Sequence, residues 1–436
     1  MLVCPLVSEG QYNCAHVAEQ GRPSLQTIKK RSRMKKLLYL VHRLPFPPNK
    51  GDKISSNNML NYFSGHWRVH LGTFVDDPDD WQYTDIVREK CEDSCIVDLP
   101  RRKRLTGSIM GMLTGDALSL SYYGNKELQA WVRLSIEREC PDAVLVFSGV
   151  MGRFVKGLLP DHVPVVFDAE DVDSEKWRSY AHSKRWPLSW LYRREADKLL
   201  AYEREMAAST HVSIFVSAQE AALFKQLAPE SADKVHFRTQ GVDSAYFDPQ
   251  LVFQNPYQSD QKVLVFTGAM DYWPNIEAVK WFCDHVLGAV REREPTFLFC
   301  IVGMKPTDEV QLLDKLPGVR VTGGVPDVRP YLSHAFAACL PLQLARGIQN
   351  KALEAMSMTL PVLATQDALV GIVEYPGVLS FVADDAKKMT EAALELLSSP
   401  RQSDNAGRDC VLKHYNWDTN LKRMEVFLLS DGEGSP

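Results

Sequence analysis

No apolar run in this sequence approaches the ~18–20 residues needed to cross a bilayer. The longest, such as Val263–Phe266 and Phe297–Val302, are strand-sized, which predicts a soluble protein. No Gly-x-Gly-x-x-Gly follows any expected strand, and this disfavours a nicotinamide or flavin cofactor. The stretch GDKISS at 51–56 lacks the first glycine of a P-loop, so it is not expected to cradle ATP. His and Cys residues do not gather at metal-ligand spacing: Cys91 and Cys95 have no second half, so no metal site is expected. There is no short repeat of the solenoid kind. Neither sign of charge dominates: the net charge is −5, which argues against a dedicated nucleic-acid binder. A secretory signal is not expected in residues 1–36, because the basic run at 29–36 has no apolar stretch of the required order and length beside it.

What is present is an ordinary globular composition, 45% hydrophobic and 24% charged over 436 residues. That length exceeds one hydrophobic core and predicts two domains. Residues 1–33 have no clear period and read as a disordered extension, with Met34 as an alternative start. The nine cysteines are an odd number, and Cys300 and Cys339 sit inside apolar runs. Buried reduced thiols in the cytoplasm are the expectation.

From residue 34 onward, short β-rich runs alternate with amphipathic stretches, the pattern of parallel α/β sheets. Strands are expected at Lys36–Val41, Val69–Phe74, Ser94–Val97, Ala143–Phe147, Val163–Phe167 and Val212–Val216. A second series follows at Lys262–Phe266, Phe297–Val302, Val319–Thr322, Ala335–Leu340, Pro361–Ala364 and Val378–Val382. Helices are expected near Ile54–Ser64, Lys126–Glu139, Leu191–Ala208 and Asn275–Arg291, the last capped by Asn275. The Gly-, Pro- and Asn-containing stretch 241–261 reads as a linker. The expected division is 34–243, 244–413 and a terminal helix over 414–430 that packs back on the first domain. Two doubly wound sheets facing each other put the chemistry in the cleft, in the loops after strands.

Three such loops stand out. HRLPFPPNKGDK (42–53) places Lys50, Gly51, Asp52 and Lys53 at a helix start that either holds an anion or is a Pro-rigid connection. FDAEDVDSEKW (167–177) crowds carboxylates at a strand end, where Asp171 or Asp173 could act on an acceptor hydroxyl or Asp173-Ser174 could cap a helix. LARGIQNKALEAMSMTLPVLAT (344–365) combines Arg346 and Lys351 with a helix start, and Glu354 follows one turn later. An anion clamp beside a diol acceptor describes a nucleotide-diphosphate site.

That segment, with TGAMDYWPNIEAVKWF (267–282), IVGMKP (301–306) and GVRVTGGVPDVRPYLSHA (318–335), resembles the donor-binding half of glycosyltransferase family 4. Together with HRLPFPPNKGDK, PDAVLVFSGVM and DVDSEKWRSYA, it is similar to sugar transferases associated with exosortase/PEP-CTERM exopolysaccharide systems. The resemblance covers residues 34–425. It implies a GT-B fold of two Rossmann-like domains and retaining, metal-independent transfer from a nucleotide sugar to a glycan or lipid-linked acceptor. It also implies roles: Glu354 on the donor ribose; Arg346, Gly347, Ile348, Asn350 and Lys351 along the diphosphate and sugar; Gly268 and Asp271 in the donor pocket. Gly323, Val325 and Asp327 would stand by the base, and Lys50 to Lys53 on the acceptor side.

Two positions depart from the family pattern. Arg346 replaces a common glutamate, and arginine pairs with phosphate or a sugar carboxylate rather than accepting from hydroxyls. Thr359 stands where a glycine commonly ends the helix, so either the helix ends differently or the position is strained. The basic run 101–104 before a Met-rich stretch reads as a contact with an anionic membrane at its inner face, each cation worth about 1 kcal/mol there, or as a solvated charge run. A nucleotide-sugar epimerase and a silent binding protein are the alternatives to a transferase.

Overall fold

The computed structural model describes residues 34–100, 112, 115–345 and 348–429. The extension 1–33, the basic run 101–104, Arg346 and Gly347 lie outside the described residues. Seven strands form the first sheet: β1 (Lys36–Val41), β2 (Arg68–Val75), β3 (Asp93–Asp98), β4 (Ala143–Phe147), β5 (Val165–Glu170), β6 (Val212–Phe215) and β7 (Val235–Phe237). Six form the second: β8 (Lys262–Thr267), β9 (Phe297–Val302), β10 (Val319–Gly323), β11 (Ala337–Leu340), β12 (Val362–Ala364) and β13 (Ser380–Val382). The orders are β3-β2-β1-β4-β5-β6-β7 and β10-β9-β8-β11-β12-β13, and every pairing is parallel. Both are doubly wound, and strand order reverses beside β1 and beside β8.

Continuous apolar runs make these strands because both faces are covered. In β1, Leu38 and Leu40 enter one core while Leu37, Tyr39 and Val41 enter the other, the two-residue period of a strand. Ala143–Phe147 and Phe297–Val302 are buried throughout. The six helices that bear on the site are α1 (Gly51–His66), α2 (Asp173–Ser183), α3 (Leu188–Ser209), α4 (Trp273–His285), α5 (Asn350–Ser357) and α6 (Trp417–Leu429).

Several sequence expectations need correction. Strand β7 was not foreseen, because three residues, VHF, carry too little period to read. Helix α1 opens at Gly51 rather than near Ile54. The expected Asn275–Arg291 helix starts earlier, at Trp273, and breaks at Val286 into two. Asn275 therefore lies inside the first turn and does not cap it. The stretch 241–261 is not a loose tether: Val242, Phe247 and Tyr257 are buried in the second core.

The chain crosses between the sheets twice, side by side. Val242 bridges to Asn416 in parallel register, and α6 then buries Trp417, Leu421, Met424 and Leu428 against the first sheet. Glu425 accepts from the Tyr62 hydroxyl and the Trp67 indole, each at 2.8 Å. A Cβ on Gly241 would stand 2.4 Å from the Trp417 ring, so only glycine lets this crossing close.

Candidate functional site

The carboxyl ends of the two sheets face one another, with both strand-order reversals at the same cleft. On the second sheet, three adjacent strands end in glycine: Gly268 after β8, Gly303 after β9 and Gly323 at the end of β10. The Gly268 N–H donates to Val302 O at 3.0 Å and the Gly303 N–H to Gly323 O at 3.1 Å. A Cβ on Gly303 would lie 1.7 Å from Gly268 O, so the backbones approach as only glycine permits. Around Gly323 a Cβ would meet nothing within 4 Å: it borders open space. Gly303 was quoted in IVGMKP without a role, because the crowding depends on a neighbouring strand.

Lys351, in the first turn of α5, donates to Asn275 Oδ1 at 2.6 Å and lies 4.6 Å from the Phe266 ring centroid. Asn275 in turn donates to Ala269 O at 2.9 Å. Burial lowers the Lys351 ammonium to about 8, with Glu354 opposing. Burial likewise raises Glu354 to about 7, and Lys351 opposes that shift. Both side chains keep a partly exposed edge. A lysine and a carboxylate with values displaced toward neutrality, on one helix face in a cleft, form a candidate functional pair. Asn350 opens α5, and its Oδ1 is buried without a hydrogen-bond partner among the described residues. Its Nδ2 would be 3.7 Å from a Cβ on Gly51, so the starts of α1 and α5 meet across the cleft.

On the facing wall, Asp171 and Asp173 share Lys176 at 3.2 and 3.4 Å. Against the effect of burial, these two carboxylates hold the Lys176 ammonium well above its ordinary value. Asp173 does not cap α2; the cap side chain is supplied from α3. Glu203 accepts from Ser174 N at 3.0 Å and Ser174 Oγ at 2.6 Å. Asp171, Lys176, Tyr180, Tyr272, Trp273 and Asn275 line a cavity of about 80 Å³ between the sheets. A larger concavity of about 600 Å³ opens by Arg291, Phe297 and Gly318, at the amino ends of the strands, away from where α/β sheets bind ligands. The smaller one has the chemistry.

Most other expected site residues are held in ion pairs or in a core. Asp52 sits 3.1 Å from His42 Nε2 and 2.7 Å from Arg43 Nη1. Burial alone would raise its carboxyl, but these partners pull it far below the usual range. Lys53 is 2% exposed and paired with Asp80 at 2.7 Å; it ties down the segment after β2. Lys50 precedes α1 without a side-chain cap bond. Asp327 is engaged by Arg329, Nη2 at 2.7 Å and Nε at 2.9 Å, with Arg329 3.7 Å over the Tyr246 ring. Val325 packs against the second core and Ile348 lies within it, while Asp271 is exposed.

Residues that the sequence left unassigned complete the first wall. Buried Arg238 pairs with Asp168 at 2.5 Å and stands 3.6 Å from Glu170. Glu170 has φ +63° at a bulge between β5 and β6. Ser148 and Lys305 also have positive φ, 76° and 54°. All three stand at strand ends around the cleft, where backbone strain concentrates at functional sites. Lys305 spans the halves to Asp77 at 2.7 Å, and Tyr180 meets Trp273 edge-on at 6.2 Å.

Residues 261–399, from β8 to beyond β13, match the family described as Glycosyl transferases group 1. Sucrose-phosphate synthase from Thermosynechococcus elongatus is similar in structure, with a TM-score of 0.66, 16% identity, and 91% of this chain and 100% of that one covered. HepE of Anabaena in complex with UDP and glucose follows at TM-score 0.62, 13% identity and 91% and 100% coverage. WaaG, a glycosyltransferase involved in lipopolysaccharide biosynthesis, gives 0.62, 16%, 90% and 99%. No curated protein matches this chain in sequence. The structural likeness shows the GT-B fold, and the match over the second sheet supports a glycosyltransferase.

Proposed function

We propose that this protein is a retaining, metal-independent glycosyltransferase that moves a sugar from a nucleotide-diphosphate sugar to a glycan or lipid-linked acceptor, in polysaccharide assembly at the cytoplasmic face of the membrane. The observation that carries the reading is the Lys351–Glu354 pair on the first turns of α5, opening into the cleft beside Gly268. The ammonium and the backbone N–H groups of Asn350 and Lys351 at the start of α5 would hold the diphosphate. Glu354 would accept from the ribose hydroxyls. Arg346, four residues before Asn350 in the sequence, would add a second cation for the phosphate or for an acidic sugar.

In the transfer, the bond from the anomeric carbon to the phosphate oxygen breaks and the acceptor oxygen forms the new one. The negative charge that develops on the departing diphosphate is what Lys351 and the α5 start stabilise. Asp171, across the cavity, would orient the acceptor hydroxyl, and Asn275 holds Lys351 in place. The proton leaves with the nucleoside diphosphate oxygen or is taken by Asp171.

The test is a thermal-shift and hydrolysis screen over UDP-, GDP-, ADP- and TDP-sugars. At least one should stabilise the fold and be slowly hydrolysed. Glu354→Ala should weaken that donor by about tenfold to a hundredfold, as a charge-assisted contact worth roughly 1.5–3 kcal/mol implies. Donor converted to an isomer without any acceptor would mean an epimerase, and binding without turnover a silent relative.

A further inference from the structure

The turn between α2 and α3 presents apolar surface that the described residues leave uncovered. Trp186 is 80% exposed, Trp190 53% and Leu188 47%. A single exposed apolar residue is ordinary, but here three large apolar side chains fall within five residues. The same segment carries exposed Lys184, Arg185 and Arg193, with no carboxylate between residues 184 and 194, while Arg194 donates to the Asp116 carbonyl at 3.1 Å. The nearest exposed acid on α3 is Asp197, which pairs with Arg178 at 3.2 Å. Glu195 is buried, its carboxylate accepting from the backbone of Leu118 and Ser119.

We infer that this turn is a membrane-docking tip that inserts Trp186, Leu188 and Trp190 into the interfacial layer of an anionic bilayer. Tryptophan prefers the headgroup level, and lysine and arginine beside it meet the anionic surface. Neither apolar insertion nor basic attraction alone anchors a protein well, and this turn supplies both. A protein partner would be expected to pair the cations with acids of its own, whereas a segment whose charges from Lys184 to Arg193 are all basic suits a uniformly anionic surface.

Its position gives the docking a purpose. Helix α2 starts at the cavity, with Asp173 in its first turn, and runs about 15 Å to the tip at 1.5 Å per residue. Aromatic rings cover part of that path: Tyr180 touches Trp273 and also Trp177, 6.1 Å away, and Trp177 meets Tyr192 at 5.2 Å. A bilayer at the tip would hold a lipid-linked substrate within reach of Asp171. The docking itself does not depend on the transferase reading.

The experiment is sedimentation of the full chain with phosphatidylcholine–phosphatidylglycerol vesicles and with phosphatidylcholine alone. Binding is expected only to the anionic vesicles and should weaken from ~0.1 M to ~1 M salt, as the Debye length shrinks from about 10 to about 3 Å. W186S/W190S and K184E/R185E should each lower the bound fraction about tenfold or more, with unchanged melting temperature. Vesicles should blue-shift the tryptophan emission of the parent chain and not of W186S/W190S. The proposal fails if these variants pellet like the parent, if only substitution of Arg101–Arg104 abolishes binding, or if the parent ignores anionic vesicles. It also fails if the tip variants merely convert a dimer to a monomer. Vesicle binding without any stabilisation by nucleotide sugars would overturn the transferase reading and leave this one standing.

Discussion

Glu203 is a group whose titration should be visible in stability. It is 4% exposed, caps α2 through Ser174, and is pushed from 4.5 to about 8 by burial first and by Asp173 second. The folded state therefore keeps the proton over a range in which the unfolded chain has lost it. Because the native state binds more protons there, stability falls as pH rises from about 4.5 to about 8 and levels off above. At about 1.4 kcal/mol per pH unit, the loss approaches roughly 5 kcal/mol by pH 9, an upper figure because water entering beside the ionised carboxylate reduces it. Glu203→Gln has the shape of the protonated acid: its Oε1 accepts the Ser174 N–H and its Nε2 donates to Ser174 Oγ. The variant should match the parent near pH 5 and exceed it by several kcal/mol near pH 9. Urea unfolding monitored by circular dichroism at pH 5, 7 and 9 measures this. Parallel curves for the two proteins across that range would refute the reasoning, since they would mean that Glu203 is already ionised in the fold.

Three further outcomes are expected. Thr359 holds φ +53° at the end of α5, the left-handed conformation that a β-branched residue resists, so Thr359→Gly should raise stability by about 1 kcal/mol in the same unfolding assay. Gly303→Ala would set its Cβ 1.7 Å from Gly268 O and should displace the donor-side loop. A shift of that order costs about a hundredfold in turnover, read as kcat on the donor found in the screen. Donor affinity should peak between the ionisation of Glu354 near 7 and the deprotonation of Lys351 near 8. It should fall below that window as the diol acceptor is protonated and above it as the diphosphate loses its cation. Calorimetric titration with the nucleoside diphosphate over pH 6–9 would follow both limbs.

Much of the architecture was legible along the chain because both sheets are parallel and covered on each side. Runs such as KLLYLV, AVLVF and FLFCIV must be buried strands whatever surrounds them, and three of the expected strands match residue for residue at Lys36–Val41, Ala143–Phe147 and Phe297–Val302. At Thr359 the sequence left open a different helix ending or a strained one, and the fold has the strained one, with φ +53°. VHF at β7 was too short to announce itself, and Asn275 looked like a cap because Pro274 precedes it, although proline sits within the first turn of α4.

Composition and local pattern thus determined two α/β halves, the strands within them, and which loops follow those strands. Only the tertiary structure decided what the polar side chains in those loops do. Asp52, Lys53 and Asp327 resemble Lys351 in sequence, as charged residues in or beside loops after strands, yet the fold gives each a short-range counter-ion. Lys351 instead has a neutral amide from α4 and a carboxylate one turn away, within a half-closed cleft. Whether a charge is bound by a partner or held ready for a ligand depends on groups brought from distant parts of the chain. Spacing along the sequence carries no record of that meeting.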